Sequence, residues 1–170
     1  MKCLSVIPFG IVAVLMHADV WGQEASPPPE MKALEKLVGT WKVEHVGKVP
    51  EQAPFTCIIK AQPVLGGRFI QQTGDVDKGE PNQIGVYTYD SNRETYRYWF
   101  FHSSGFFVDS TGTWNESSQT FTFTNKPFEG ATGVITVHFL DETTYDWSII
   151  NKDAGGKVVY HLEGKAVRQK

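Results

Sequence analysis

The chain has 170 residues, with 16 Lys or Arg against 19 Asp or Glu and a net charge of −3. Its charges form no long run, which excludes the clustered basic face of a nucleic-acid binder. Its two cysteines exclude a disulfide-stapled scaffold. The first element is a cationic start, Met1-Lys2, followed by the uncharged stretch CLSVIPFGIVAVLM. That profile predicts a signal peptide over 1–22, cut after Gly22 or, alternatively, after Ala25. The apolar run is shorter than the roughly 20 residues that a membrane helix needs. The expectation is therefore an exported protein, periplasmic or extracellular (secreted), without a membrane span in its mature form. Residues 23–29, ending in Pro27-Pro28-Pro29, read as a stiff spacer. Residues 30–170 are long enough for one domain with its own core, and Cys57 is then the sole cysteine of the mature chain.

Leu34, Leu37 and Val38 stand at i, i+3 and i+4, so Glu30 to Val38 reads as a short amphipathic helix. Segments rich in Val, Ile, Thr and aromatics follow, at about 40–47, 55–63, 67–74, 82–90, 94–103, 105–114, 118–125, 131–140, 143–151 and 156–167. Turn chemistry separates them, including Leu65-Gly66-Gly67, Asp77-Lys78-Gly79-Glu80-Pro81, Asp90-Ser91-Asn92-Arg93 and Asp153-Ala154-Gly155-Gly156. Consecutive hairpins without crossover helices predict an all-β fold, an antiparallel up-and-down β-barrel of about ten strands. Closure removes the two exposed edges that such a meander would otherwise carry.

Alternation assigns faces, because strand side chains repeat every second residue. Phe121 and Phe123 point inward, as do Ile135, Val137 and Phe139. Val158, Tyr160 and Leu162 also point inward, which leaves His161 outside with Glu163. Further rings expected inside are Phe55, Phe106, Tyr98 and Phe100. The barrel end next to the helix needs a seal. Trp41, entering the first strand from Gly39-Thr40, has the area for it, and Arg168 near the C-terminus is the cation able to stack on its face.

Helix, Gly-x-Trp and terminal Arg together resemble the calycin superfamily of lipocalins and fatty-acid-binding proteins. LEKLVGTWKVE, GGRFIQQ, GVYTYDSNRETYRYWFFHSSG, GTWNESSQTFTF and DAGGKVVYHLEGKAVR look like an uncharacterised bacterial lipocalin-like domain-of-unknown-function family. The likeness runs from about Glu30 to Arg168 and implies a fold but no settled activity. Ten strands also bring a more distant likeness to nitrobindins, haem-binding barrels with an iron-ligating His near the C-terminus. That likeness implies His161 as the ligand, although alternation turns it outward.

The residues expected to line a cavity are Trp41, His45, Tyr98, Phe100, His102, Phe123, Tyr145 and Trp147. His45 shares a face with Trp41, and His102 with Tyr98 and Phe100. The two could form a polar spot in an apolar cavity, or each could sit near a rim with a partner of its own. No Gly-x-Ser-x-Gly elbow, phosphate loop or spaced metal-ligand cluster is present. The reading is a non-catalytic barrel that holds a small apolar or amphipathic ligand, with no cofactor and no nucleic-acid partner. The alternatives are a haem barrel using His161 and a packed barrel that acts as a protein-interaction module.

Overall fold

The computed structural model describes residues 26–75 and 81–170, with the side chain of Asp75 excepted. The predicted signal peptide and most of the Asp77–Pro81 turn lie outside the described residues. One helical turn, α1 (Met31–Leu34), continues into a 3-10 turn over Glu35–Leu37. Ten strands follow: β1 (Gly39–Val49), β2 (Glu51–Val64), β3 (Phe69–Asp75), β4 (Gln83–Asp90), β5 (Thr95–His102), β6 (Phe107–Asn115), β7 (Thr120–Asn125), β8 (Thr132–Phe139), β9 (Thr144–Lys152) and β10 (Val158–Arg168). Each pairs antiparallel with its chain neighbours, and β1 pairs with β10, so the sheet is a closed barrel.

The first hairpin departs from the sequence reading. β1 and β2 are separated by Pro50 alone, and β2 starts at Glu51, four residues ahead of the expected start. The longer strand takes in Pro54, which cannot donate to a ladder. The register shifts between His45/Phe55 and Gly47/Gln52. Pro54 falls inside that shift, the irregular position where a strand tolerates proline.

Register places one set of side chains inside all around the wall. His45 faces Gly164, which faces Trp147, and Val137 lies beyond. Tyr87 faces Tyr98, which faces Ser110, and Asn125 lies beyond. Met31, Leu34 and Leu37 are the buried face of the helical segment, which covers the barrel end where β1 begins and β10 ends. Phe106 corrects an expectation: it lies on the β5–β6 loop and is half exposed, because β6 begins only at Phe107.

Candidate functional site

The two halves of the lumen are built differently. Beneath the helix, rings pack on rings. Trp41 meets Tyr145 edge-on with centroids 4.7 Å apart, and Tyr145 lies 5.4 Å from Phe139. Phe121 is 5.1 Å from Tyr96 and 4.4 Å from Trp114. Two polar tips in this half reach backbone carbonyls. Trp41 Nε1 donates to Leu37 O at 2.8 Å, and Tyr96 Oη donates to Glu30 O at 3.1 Å. Burial pushes the Tyr96 phenol up to about 12, so it stays a neutral donor.

Arg168 locks this end. Its guanidinium carbon sits 4.2 Å over the Trp41 ring, and its nitrogens donate to Lys36 O at 3.1 Å, Glu142 O at 2.9 Å and Val38 O. One side chain thus ties β10, the β8–β9 turn and the helical segment together. The sequence named Trp41 and Arg168 as a barrel-closing pair, and the structure brings them into contact.

The opposite half is lined by shorter apolar residues and by polar groups that lack partners. Ile135, Ile149 and Leu162 form adjoining positions of the inner wall. His45 is only 8% exposed. Its ring stacks on Phe55 at 4.4 Å and meets Trp147 edge-on at 4.9 Å. Its Nε2 lies 3.0 Å from Cys57 Sγ, while Nδ1 is buried without a partner. Burial lowers its pKa to about 4, so the imidazole is neutral at ordinary pH.

Trp147 Nε1, Asn125 Oδ1 and Asn151 Oδ1 are also buried and unpartnered. Two glycines make their positions available. A Cβ on Gly133 would lie 2.2 Å from Asn125 Oδ1 and 2.6 Å from Asn151 Oδ1. A Cβ on Gly164 would lie 2.8 Å from Trp147 Nε1. The Asn125 and Asn151 amide oxygens and the Trp147 ring nitrogen therefore lie where a side chain at Gly133 or Gly164 would otherwise stand. Asn125 Nδ2 donates to Ser110 Oγ at 3.3 Å.

The expected cavity residues divide accordingly. Trp41 and Tyr145 belong to the packed half, and Tyr98 and Phe123, 5.6 Å apart, mark its boundary. His45 and Trp147 line the other half. Phe100 and His102 stand at its rim, where His102 Nδ1 bonds Ser104 Oγ at 2.9 Å. Ser110, Asn125 and Asn151 escaped the sequence reading. The signal was there, since Asn125 continues the Phe121, Phe123 face and Asn151 continues Tyr145, Trp147 and Ile149.

His161 lies on the outer wall, 3.1 Å from Glu163 Oε2, and Glu163 also pairs with Lys48 at 3.1 Å. A haem in the lumen would need the opposite face, so the residues around His161 do not fit one there. Among the described residues no group of three or more His, Cys, Asp or Glu could hold a metal ion, and no helix is long and apolar enough to cross a membrane. The mouth carries exposed rings: Phe101, Phe106, Phe107 and Phe128, of which Phe107 is 65% exposed. A groove of about 830 Å³ runs down the outer wall from there, between Phe106, Phe107, Lys126, Pro127 and Val134.

Solved structures share this architecture at low identity. Rv2717c from M. tuberculosis is 19% identical with a TM-score of 0.60, over 85% of this chain and 100% of that one. The S-type phycobiliprotein lyase CPES from Guillardia theta is 16% identical with a TM-score of 0.57, over 82% and 92%. No curated protein matches the chain. The fold is thus that of the lipocalin-like barrels, and because its residues 26–157 match the family model, the chain belongs to the family described as "Protein of unknown function (DUF1579)".

Proposed function

We propose that this protein is an exported carrier that holds a small amphipathic molecule in the half of its barrel away from the helix, without chemistry on it. The supporting observation is the set of unpartnered polar atoms on that half's inner wall: His45 Nδ1, Asn125 Oδ1, Trp147 Nε1 and Asn151 Oδ1. Each such group costs about 1–3 kcal/mol when left unsatisfied. Four in one half, beside the apolar Ile135, Ile149 and Leu162, describe a wall made for an occupant with both apolar and polar parts. A binding role accords with the inward side chains. Among the described residues no carboxylate faces the lumen, and the one inward cation, Arg168, is engaged in the seal. Export is supported by the leader sequence over 1–22.

The test is to express the full chain, recover it from the periplasm and extract it with organic solvent for mass spectrometry. An apolar or amphipathic molecule is expected in the extract, together with an N-terminus at Gln23. Retention of Met1 on all of the protein would sink the export reading. Failure to bind any of a panel of apolar dyes, with Ile149→Trp no different from wild type, would sink the carrier reading. An absorption spectrum with added hemin completes the comparison, and no Soret band dependent on His161 is expected.

The exposed rings at the mouth favour a second reading, a module that docks another protein through Phe101, Phe106, Phe107 and Phe128. Phe107→Ser separates the two readings, because it should abolish docking and leave ligand uptake in place.

A further inference from the structure

We infer that the molecule held in this barrel presents a neutral carbonyl-type oxygen, and that the ring N–H groups of Trp147 and His45 both donate to it. This rests on the interior-binding reading and names what the interior recognises. An indole nitrogen can only donate, and Trp147 Nε1 is buried without an acceptor. Its place is fixed by Gly164, whose Cβ would stand 2.8 Å away. His45 flanks the same glycine from the other side, so the two rings approach across one backbone position.

The histidine tautomer follows from its partner. Cys57 Sγ lies 3.0 Å from Nε2, and a thiol is a weak donor but an even weaker acceptor than an imidazole nitrogen. Assigning the bond as S–H to Nε2 puts the ring's own proton on Nδ1, the unpartnered atom. Two donors with no acceptor then share one part of the wall. A ketone, ester or amide oxygen, with two lone pairs, can accept from both. A carboxylate suits the site less well, because no cation faces this half among the described residues, and a buried charge without a counter-charge is costly.

The experiment compares three probes of one shape: 2-acetylnaphthalene, 2-ethylnaphthalene and 2-naphthoate, titrated into the full mature chain. The ketone is expected to bind roughly tenfold tighter than the hydrocarbon, the ratio of about one net hydrogen bond, and tighter than the acid. Trp147→Phe, and separately His45→Phe, should bring the ketone-to-hydrocarbon ratio toward one. In wild-type protein the Trp147 indole N–H resonance should move downfield with ketone and not with 2-ethylnaphthalene, a readout that does not depend on variants folding. Equal affinities for ketone and hydrocarbon, or an indole proton indifferent to the ketone, overturn the donor pair and leave interior binding intact. Tighter binding of 2-naphthoate overturns the neutral-oxygen assignment. Binding of none of the three removes the interior reading and this inference together.

Discussion

The helix-covered end and the mouth of this barrel are made from the same ten strands, yet they are opposite solutions. At the covered end every large ring touches another and the polar tips of Trp41, Tyr96 and Arg168 all reach carbonyl oxygens. In the other half, the buried His45 Nδ1, Asn125 Oδ1, Trp147 Nε1 and Asn151 Oδ1 of the inner wall reach nothing in the protein. Hydrogen-bonding capacity is therefore spent at one end and left unspent at the other. Substitutions at the two ends should change stability in opposite directions.

The largest effect is expected at the seal. Trp41→Ala removes a 1%-exposed ring together with the platform for Arg168, and should cost about 3–5 kcal/mol, read as a lowered urea midpoint. A smaller effect concerns pH. The folded pKa of His45, about 4, lies below its unfolded value near 6.5, so between these values the unfolded chain binds the extra proton. Stability should be full above pH 6.5, fall as pH drops toward 4, and flatten below that. The loss should be about 2 kcal/mol, allowing for water reaching the ring from the mouth. His45→Phe should remove that dependence, and an unchanged profile in the variant would assign it to other groups. Smaller again, and of opposite sign, is Trp147→Phe. Deleting a buried donor that has no acceptor should raise stability by about 1 kcal/mol, while removing the preference for a carbonyl ligand. The smallest is His161→Ala on the outer wall, expected to stay within about 0.5 kcal/mol of wild type. A large loss there would mean that the Glu163 pairing does more than a surface ion pair usually does.

Much of the architecture was legible because hairpins are local. Turns such as Asp90-Ser91-Asn92-Arg93 announce themselves, and Asp90 Oδ1 indeed accepts from the backbone N–H of Asn92 and Arg93. Alternation then gave faces, including the outward His161. What alternation cannot give is depth along the barrel. Trp41 and Trp147 both point inward, but one is wedged under a helix and the other borders unfilled hydrogen-bonding capacity. That difference depends on which strand ends the helix covers, which is a tertiary fact. The amides were overlooked for a related reason: Asn125 and Asn151 sit at or near strand ends, where asparagine ordinarily signals a turn. Alternation puts them on the inner face, but only register shows that both lie against one glycine, Gly133, which leaves room for them.

The β1–β10 seam has a kinetic side. Nine of the ten strand pairings join chain neighbours, and each can form as its own hairpin. The tenth brings Trp41 to Arg168, and Arg168 bonds Val38 across 130 positions of sequence. Loop-closure entropy makes such a contact slow to reach. Until it forms, the meander has two bare edges, open to pairing with other chains. The ring-and-cation latch at this seam therefore sets how long a newly made chain remains exposed to aggregation, as well as how firmly the finished barrel stays shut.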